Sequence, residues 1–213
     1  MSQIRVLVVE DSLIFRELLV QNLSKDPAIQ VVAAARDPYE ARDAIEKYKP
    51  DVMTLDIELP RMNGIEFLRK LMPQYPFPVV VISSLSDKVF DAMDAGAVDF
   101  VAKPHVTDRR QLEQFIRTEL PNKIKIAAVA RVETKKSMPP IQLKPTITVN
   151  NKNLVVAIGA STGGPEALEA VLREFGPDMP GTVIVQHMPG RFTEMFASRL
   201  DKECSVCVKE AKT

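Results

Sequence analysis

The stretch Ile4-Arg5-Val6-Leu7-Val8-Val9-Glu10-Asp11 sets the pattern from which the fold can be predicted. A short apolar run with polar residues mainly at its ends is typical of a strand buried on both faces of a parallel sheet. The same type of run recurs at Val31–Ala35, Val52–Ile57, Val79–Ile82 and Val98–Ala102. Segments with helical spacing alternate with these runs: Ile14–Leu23, Pro38–Tyr48, Gly64–Met72, Lys88–Ala95 and Arg109–Leu120. This alternation predicts an α/β domain with a doubly wound, five-stranded parallel sheet.

A second α/β pattern begins at Leu154, after a stretch rich in proline and lysine. It predicts strands at Val155–Ile158 and Val183–Val185, with a third at Val206–Val208, and helices at Pro165–Phe175 and Phe192–Leu200. We therefore expect a first domain over residues 1–122, a linker over 123–152, and part of a second, Rossmann-like α/β domain over 153–213. The start of the linker, 124–132, could also prolong the preceding helix. So few strands make a small core, which suggests that the second domain is truncated.

Composition narrows the classes of function. The 213 residues include 28 Lys+Arg and 28 Asp+Glu, so no net charge favours nucleic acid or a membrane surface. No apolar run is long enough to span a bilayer, and the N-terminus has no signal-peptide layout. We therefore expect a cytoplasmic protein that neither inserts into membranes nor binds nucleic acid. Cys204 and Cys207 form a C-x-x-C pair, but with no second pair they are expected to be ordinary reduced cysteines rather than a zinc site.

Polar residues follow four of the predicted strands at the edge where parallel α/β sheets gather ligands. They are Glu10-Asp11, Asp56, Ser83 and Lys103. Each alone has an ordinary structural explanation, as a helix cap, a turn residue or a surface lysine. Together, clustered carboxylates without histidine or cysteine favour Mg²⁺. Asp56 could then attack phosphorus as a nucleophile, with Mg²⁺ and Lys103 offsetting the phosphoryl charge.

The first half of the chain resembles response-regulator receiver domains, which have a flavodoxin-like fold. The motifs that carry the resemblance are Val8–Ser12, Asp56–Gly64 and Asp94–Pro104, and it extends over about Ile4 to Leu120. Leu59 and Asn63 stand where the family usually has Met and Asp, both in the turn after Asp56.

The resemblance assigns a role to each residue of this edge. It implies that Asp56 receives a phosphoryl group from a histidine kinase and that Lys103 pairs with that group. The Mg²⁺ ligands that it implies are Glu10, Asp11, Asp56 and the backbone carbonyl of Glu58. Ser83 and Phe100 occupy the family's switch positions, where a hydroxyl moves onto phosphate and an aromatic ring fills the vacated space. A cis peptide bond before Pro104 would also fit the family.

A second candidate site lies at Gly159-Ala160-Ser161-Thr162-Gly163, which follows a predicted strand and precedes a predicted helix. The G-x-S-x-G pattern can expose a nucleophilic serine, with the backbone amide of Thr162 as an oxyanion donor. The same stretch could instead bind phosphate or form only a tight turn. His187 ends the next predicted strand and should emerge at the same sheet edge, where it could act as a general base.

The second half of the chain resembles the catalytic domain of chemotaxis protein-glutamate methylesterases, the CheB family. The resemblance rests on Gly159–Pro165, Gln186–Pro189 and Phe192–Leu200. It implies hydrolysis of glutamyl methyl esters on methylated chemoreceptors, and often glutamine deamidation, with Ser161 as nucleophile and His187 as base. Gly190-Arg191 depart from the family's usual residues. The family's later aspartate has no counterpart, because Glu194, Asp201, Glu203 and Glu210 do not follow a further predicted strand.

The sequence therefore predicts a phosphorylation-regulated methylesterase that lacks its C-terminal part. One alternative is a phosphorylation-gated binding module with an inactive remnant as its second domain. A receiver joined to a DNA-binding output is less consistent with the sequence, since no helix-turn-helix pattern follows the linker.

Overall fold

The structure, a computed structural model, describes residues 3–84, 88–104, 109–130, 132 and 154–212. These residues divide into two compact units, 1–134 and 135–213. Most of the predicted linker, from residue 133 to 152, lies outside the described residues.

The first unit contains a parallel sheet in the strand order β2-β1-β3-β4-β5. Its strands are β1 (Ile4–Val9), β2 (Ile29–Ala35), β3 (Val52–Asp56), β4 (Val79–Ser83) and β5 (Asp99–Ala102). Every residue of β3 and β4 is buried, as expected for central strands covered by helices on both faces. The prediction of a doubly wound, five-stranded parallel domain is confirmed.

The helices between these strands begin where the sequence supplies capping side chains. They are α1 (Leu13–Leu23), α2 (Pro38–Tyr48), α3 (Gly64–Leu71) and α4 (Val89–Asp94). The side chains of Ser12, Asp37 and Asn63 accept backbone N–H groups in the first turns of α1, α2 and α3. Such caps satisfy donors that the helix itself leaves without partners, and so fix where each helix begins.

The last helix of the first unit has three parts and extends past the predicted domain boundary. It consists of α5 (Arg109–Gln114), a π-helical turn (Phe115–Glu119) and α6 (Leu120–Ala127). Lys123 of α6 is buried and lies 2.8 Å from a carboxylate oxygen of Asp99 at the start of β5. The predicted linker began at residue 123, whereas residues 123–127 are helical here and pack against the first sheet.

The core on the α1 side of this sheet packs the strands against α1 and against the helix formed by α5, the π-helical turn and α6. It contains Val6, Val8, Phe15, Leu19, Leu23, Ile29, Val52, Val80, Ile82, Val101, Phe115, Ile116, Leu120, Ile124 and Ala127. The helical spacing of the apolar positions in α1 and in α5–α6 explains why these faces are buried. The strands that carry the acidic residues at their ends are therefore anchored in a packed hydrophobic core.

The second unit is a smaller α/β layer. It contains the parallel strands β6 (Val155–Ala160) and β7 (Gly181–Gln186), the helices α7 (Gly164–Arg173) and α8 (Thr193–Glu203), and a 3₁₀ turn (Gly190–Phe192). The predicted strand at Val206–Val208 is wrong. The backbone N–H of Val208 donates to the Asp201 side chain at 2.8 Å, so it bonds to α8 rather than to a strand.

One face of the two-stranded sheet is exposed and apolar. Val155 of β6 is 63% exposed, and Val183 and Val185 of β7 are 57% and 68% exposed. Alternation along the strands explains this, since the intervening residues face the other way and are partly covered. The second unit therefore presents an uncovered face of β-branched side chains.

Two further expectations can be compared with the structure. No cis peptide bond occurs among the described residues, so the bond before Pro104, where a cis form would fit the family, is trans here. None of the described helices combines the length and apolarity needed to cross a membrane.

Candidate functional site

The strand ends of the first sheet bring together an acidic cluster around one lysine. The Nζ atom of Lys103 lies 2.6 Å from Oδ2 of Asp56 and 2.9 and 2.8 Å from the two carboxylate oxygens of Glu10. Glu10 and Asp56 are buried, whereas the Lys103 side chain is 20% exposed. The order of the strands explains the convergence, because β1, β3, β4 and β5 are neighbours and all parallel.

Three carboxylates at this edge fit a divalent cation. Single oxygens of Glu10, Asp11 and Asp56 all lie within 4.8 Å of one another. A set of hard oxygen donors with two buried members suits Mg²⁺ better than a softer metal. The backbone carbonyl of Glu58, the other predicted ligand, stays a prediction. The structure shows that the Glu58 N–H donates to Oδ1 of Asp56 at 3.0 Å and that its side chain accepts from Ser84.

Burial and charge pairing have opposite effects on the pKa values in this cluster. Burial raises the pKa of Glu10 to about 7, and the nearby Asp56 charge adds to this, while Lys103 acts in the opposite direction. Burial alone would lower the pKa of Lys103, but hydrogen bonds and charge attraction from Asp56 and Glu10 raise it above its usual value. Lys103 is therefore a cation held against two buried acids.

The turn after Asp56 depends on a residue without a side chain. A Cβ atom at Gly64 would lie 2.4 Å from the backbone oxygen of Asp56, and the Gly64 N–H donates to the Ile57 carbonyl at 2.9 Å. Glycine therefore allows the start of α3 to lie against the end of β3. Gly64 belongs to a predicted motif, but its contact with Asp56, eight residues away, could not be predicted from the sequence.

Both predicted switch residues are buried in the first unit. Ser83 ends β4 and is fully buried, and its carbonyl accepts the Lys103 N–H at 2.8 Å. The Phe100 ring of β5 is buried and forms a T-shaped pair with the Phe90 ring at a centroid distance of 6.2 Å. Their switching roles stay predictions.

An aromatic ring that was not among the predicted site residues also contacts the lysine. Nζ of Lys103 lies 4.7 Å from the centroid of the Phe15 ring, which projects from α1. Phe15 follows Asp11 by four residues, so the available signal was an aromatic residue on the first turn after the acidic pair.

The second site lies at the ends of β6 and β7. Ala160 and Gln186 are paired in register, so Ser161 and His187 follow directly opposite each other. The His187 N–H donates to the Ala160 carbonyl at 3.0 Å, and both Ser161 and His187 are exposed. No hydrogen bond joins their side chains in the part of the chain that the structure describes.

Gln186 connects the two loops through its side-chain amide. Nε2 donates to the carbonyl of Ser161 at 2.9 Å and to that of His187 at 3.2 Å. A Cβ atom at Gly164 would lie 1.9 Å from Oε1 of Gln186 and 2.9 Å from Cβ of Ala160. The glycine therefore leaves the space in which this amide sits.

The serine turn is not strained at the serine itself. Among the described residues only Lys49 and Arg61, besides two glycines, have positive φ, and Gly163 supplies φ 72° at the start of α7. Ser161 therefore projects from an ordinary strand end, unlike the strained elbow that the G-x-S-x-G pattern can form. Thr162 lies in the turn between Ser161 and α7, and its role as oxyanion donor stays a prediction.

The acidic residues that follow His187 in the sequence are hydrogen-bonded or ion-paired to residues other than His187. Glu210 accepts from the Thr193 hydroxyl, Asp201 accepts from Val208, and Glu203 pairs with Arg173. Glu194 lies 3.9 Å from Lys212. Among the described residues, no carboxylate is hydrogen-bonded to His187, and the acid of a Ser-His-acid triad stays unassigned.

Comparisons with known protein families give one match within each of the two units. Residues 6–117 match the family described as response regulator receiver domain, and residues 156–213 match the one described as CheB methylesterase.

Similar proteins match along the whole chain. A protein-glutamate methylesterase/protein-glutamine glutaminase 2 of Syntrophomonas wolfei is 57% identical over 213 residues, which cover all of this chain and 62% of that protein. A protein-glutamate methylesterase/protein-glutamine glutaminase of Syntrophotalea carbinolica is 49% identical, over all of this chain and 63% of that protein. The chain thus spans less than two thirds of the length of either relative.

A solved structure matches the first unit. The crystal structure of the response regulator domain of Thermotoga maritima CheB is 39% identical, with a TM-score of 0.55. The match covers 61% of this chain and 98% of that domain.

Proposed function

The chain belongs to the response-regulator receiver family, and we propose that Asp56 accepts a phosphoryl group that controls a serine ester hydrolase. The observation that carries the proposal is the contact of Lys103 with Asp56 and Glu10 at the strand ends. A buried acid paired with a lysine, beside two more carboxylates, is suited to bind a cation and a phosphoryl group together.

In the proposed reaction, a carboxylate oxygen of Asp56 attacks the phosphorus of a phosphohistidine on a histidine kinase. The P–N bond breaks, its electron pair returns to the imidazole, and the imidazole takes up a proton. Lys103 pairs with the phosphoryl oxygens once Asp56 is esterified. Mg²⁺ held by Glu10, Asp11 and Asp56, with the Glu58 carbonyl, would neutralise phosphoryl charge. Ser83 and Phe100 then carry the change to the output surface.

Phosphodonor labelling tests this first part. Asp56→Asn keeps the size of the side chain but removes the nucleophilic oxygen, so a small phosphodonor with Mg²⁺ should label the parent chain and leave this variant unlabelled. Asp43→Asn is the matched control, because Asp43 is exposed on α2 and forms an ion pair with its neighbour Arg42. Equal labelling of all three chains would contradict the assignment of Asp56.

The second unit is the proposed hydrolase. Ser161 attacks the carbonyl carbon of a glutamyl methyl ester, His187 takes the serine proton and passes it to the leaving methoxide, and methanol departs. The Thr162 amide donates to the oxyanion, and water then hydrolyses the acyl-serine to restore the hydroxyl. Support comes from the adjacent strand ends that carry Ser161 and His187 and from the names of the relatives. Those names also support a glutaminase activity, and methylated chemoreceptors are the proposed substrate.

Methanol release tests the proposed hydrolase activity of the second unit and its regulation by phosphorylation. In a full-length protein, Ser161→Ala should abolish methanol release from methylated chemoreceptor, whereas Ser198→Ala on the exposed side of α8 should not. Phosphodonor should raise the parent's rate, and deletion of residues 1–150 should raise the rate without phosphodonor. A rate unchanged by Ser161→Ala would exclude this serine as the nucleophile.

One observation favours an alternative for the second unit. No described carboxylate bonds to His187, so this unit could serve as a phosphorylation-gated binding module without activity. A full-length protein that is phosphorylated on Asp56, binds receptor and yet releases no methanol would establish the alternative.

A further inference from the structure

The ring of Phe15 makes an apolar contact with the Lys103 ammonium group. Its ring centroid lies 4.7 Å from Nζ, while the carboxylates of Glu10 and Asp56 take the polar side at 2.6 to 2.9 Å. The negative face of an aromatic ring attracts a cation, most strongly where water is excluded. The ammonium is therefore held from two directions.

The Phe15 ring is itself held in place. It is buried, and it packs at a centroid distance of 6.1 Å against Phe115, which begins the π-helical turn and is also buried. The first turn of α1 is fixed further by the Ser12 cap, which accepts the Phe15 N–H. A ring fixed by these contacts can restrict the lysine instead of following it.

We propose that Phe15 is a positioning residue for phosphoryl transfer, whose ring face holds the Lys103 ammonium against Asp56. The inference rests on the proposed role of Asp56 as phosphoacceptor. It adds that the electrons of the ring matter in addition to its volume. If Phe15 were only a core residue, any apolar side chain of equal size would serve as well.

Fluorinated phenylalanines separate these two roles, because fluorine withdraws electron density from the ring face while changing its size little. The series 4-fluoro, 3,4,5-trifluoro and pentafluoro is placed at position 15, and the rate of labelling by a small phosphodonor with Mg²⁺ is measured. We expect the rate to fall stepwise, by on the order of threefold to thirtyfold in total, the range of a cation–π contact.

The same series at position 115 is the matched control. Phe115 is an equally buried ring that contacts Phe15, so it should respond to packing changes. We expect no graded fall there. A flat series at position 15 with a labelled parent, or equal slopes at both positions, would overturn the inference.

A measurement without Mg²⁺ or phosphodonor tests the contact directly. The ¹⁹F resonance of 4-fluorophenylalanine at position 15 should shift when Lys103→Met removes the cation, and the same label at position 115 should shift less. An unmoved resonance at position 15 would exclude the contact. A parent chain that is not labelled by phosphodonor would instead contradict the proposed function. The ¹⁹F shift at position 15 would still show whether Lys103 contacts the Phe15 ring.

Discussion

Thr54 lies in the middle of β3, paired on either side with Val8 and Val80. Its side chain is fully buried, and its hydroxyl oxygen has no hydrogen-bond partner among the described residues. Burying a hydroxyl without a partner costs free energy, whereas a methyl group of the same shape would gain from burial. The strand that carries Asp56 therefore contains a polar atom that its stability does not need.

Thr54→Val should raise the free energy of unfolding of the first unit by about 1 kcal/mol. Urea denaturation measures this as a higher midpoint with an unchanged slope. Thr54→Ser, which keeps the hydroxyl and loses the methyl, should lower the midpoint. A lower midpoint for the valine variant would show that the hydroxyl has a partner in solution.

Asp37 is a second residue with a measurable effect on stability. Its buried carboxylate caps α2, accepts from Tyr39 and Glu40, and lies 3.1 Å from Arg61. The backbone hydrogen bonds to the charged form, and the nearby arginines, lower its pKa in the folded protein. Asp37→Ala should cost about 1 to 2 kcal/mol at neutral pH.

The contribution of the Asp37 charge should depend on pH in a defined direction. Because the folded pKa is below the unfolded value of 3.8, the stabilisation is fully present above that value and is lost as the pH falls through the folded pKa. Asp37→Asn keeps a capping oxygen, so its deficit should shrink as the pH is lowered from about 5 to about 2. A deficit that is constant with pH would mean that the charge contributes nothing.

The residues of the acidic cluster were predictable because strand ends follow from the apolar runs, and parallel strands end at one edge. This reasoning identified Glu10, Asp56 and Lys103. It could not identify Phe15 or Gly64, because their roles depend on distances between elements that the sequence pattern does not specify. Motif resemblance named the switch residues, and only the structure shows that both are buried.

At the scale of elements, the turn between β6 and α7 depends on the space at Gly164. Gly164→Ala should displace the Gln186 amide and so break its bonds to the Ser161 and His187 loops. We expect lower stability of the second unit, by about 1 to 3 kcal/mol, and lower methanol release in a full-length protein.

Gly159→Ala is the matched control for this change. A Cβ atom at Gly159 would meet nothing within 4 Å in the described residues, although it lies in the same motif. Equal effects of the two substitutions would mean that the loss at Gly164→Ala does not come from displacing the Gln186 amide.

Element boundaries were predicted well where capping or apolar alternation defines them, as for α2, whose predicted and observed ranges agree. The strand at Val206–Val208 failed because alternation in three residues cannot reveal whether a partner strand is available. The π-helical turn at Phe115–Glu119 was not predictable either, since apolar spacing does not distinguish it from an α-helix.

At the scale of the whole molecule, the 213-residue chain should accept a phosphoryl group on Asp56 but hydrolyse glutamyl methyl esters slowly. The first unit brings Glu10, Asp11, Asp56 and Lys103 together, whereas His187 has no carboxylate partner among the described residues. Loss of such a partner lowers turnover by about 10⁴ in serine hydrolases. Methanol release by this chain, compared with a full-length protein, measures the difference. Comparable rates would mean that a residue such as Glu210 leaves Thr193 and orients His187.

The ion pair between Asp99 and Lys123 determines where the receiver can be cut from the rest of the chain. A receiver ending at residue 122 would leave the buried Asp99 carboxylate without Lys123, and breaking a buried pair in this way costs about 3 to 5 kcal/mol. That is a large share of the roughly 5 to 15 kcal/mol that stabilises a domain. Anyone transplanting this switch onto another output should therefore keep the chain through Ala127 and join the new sequence beyond it.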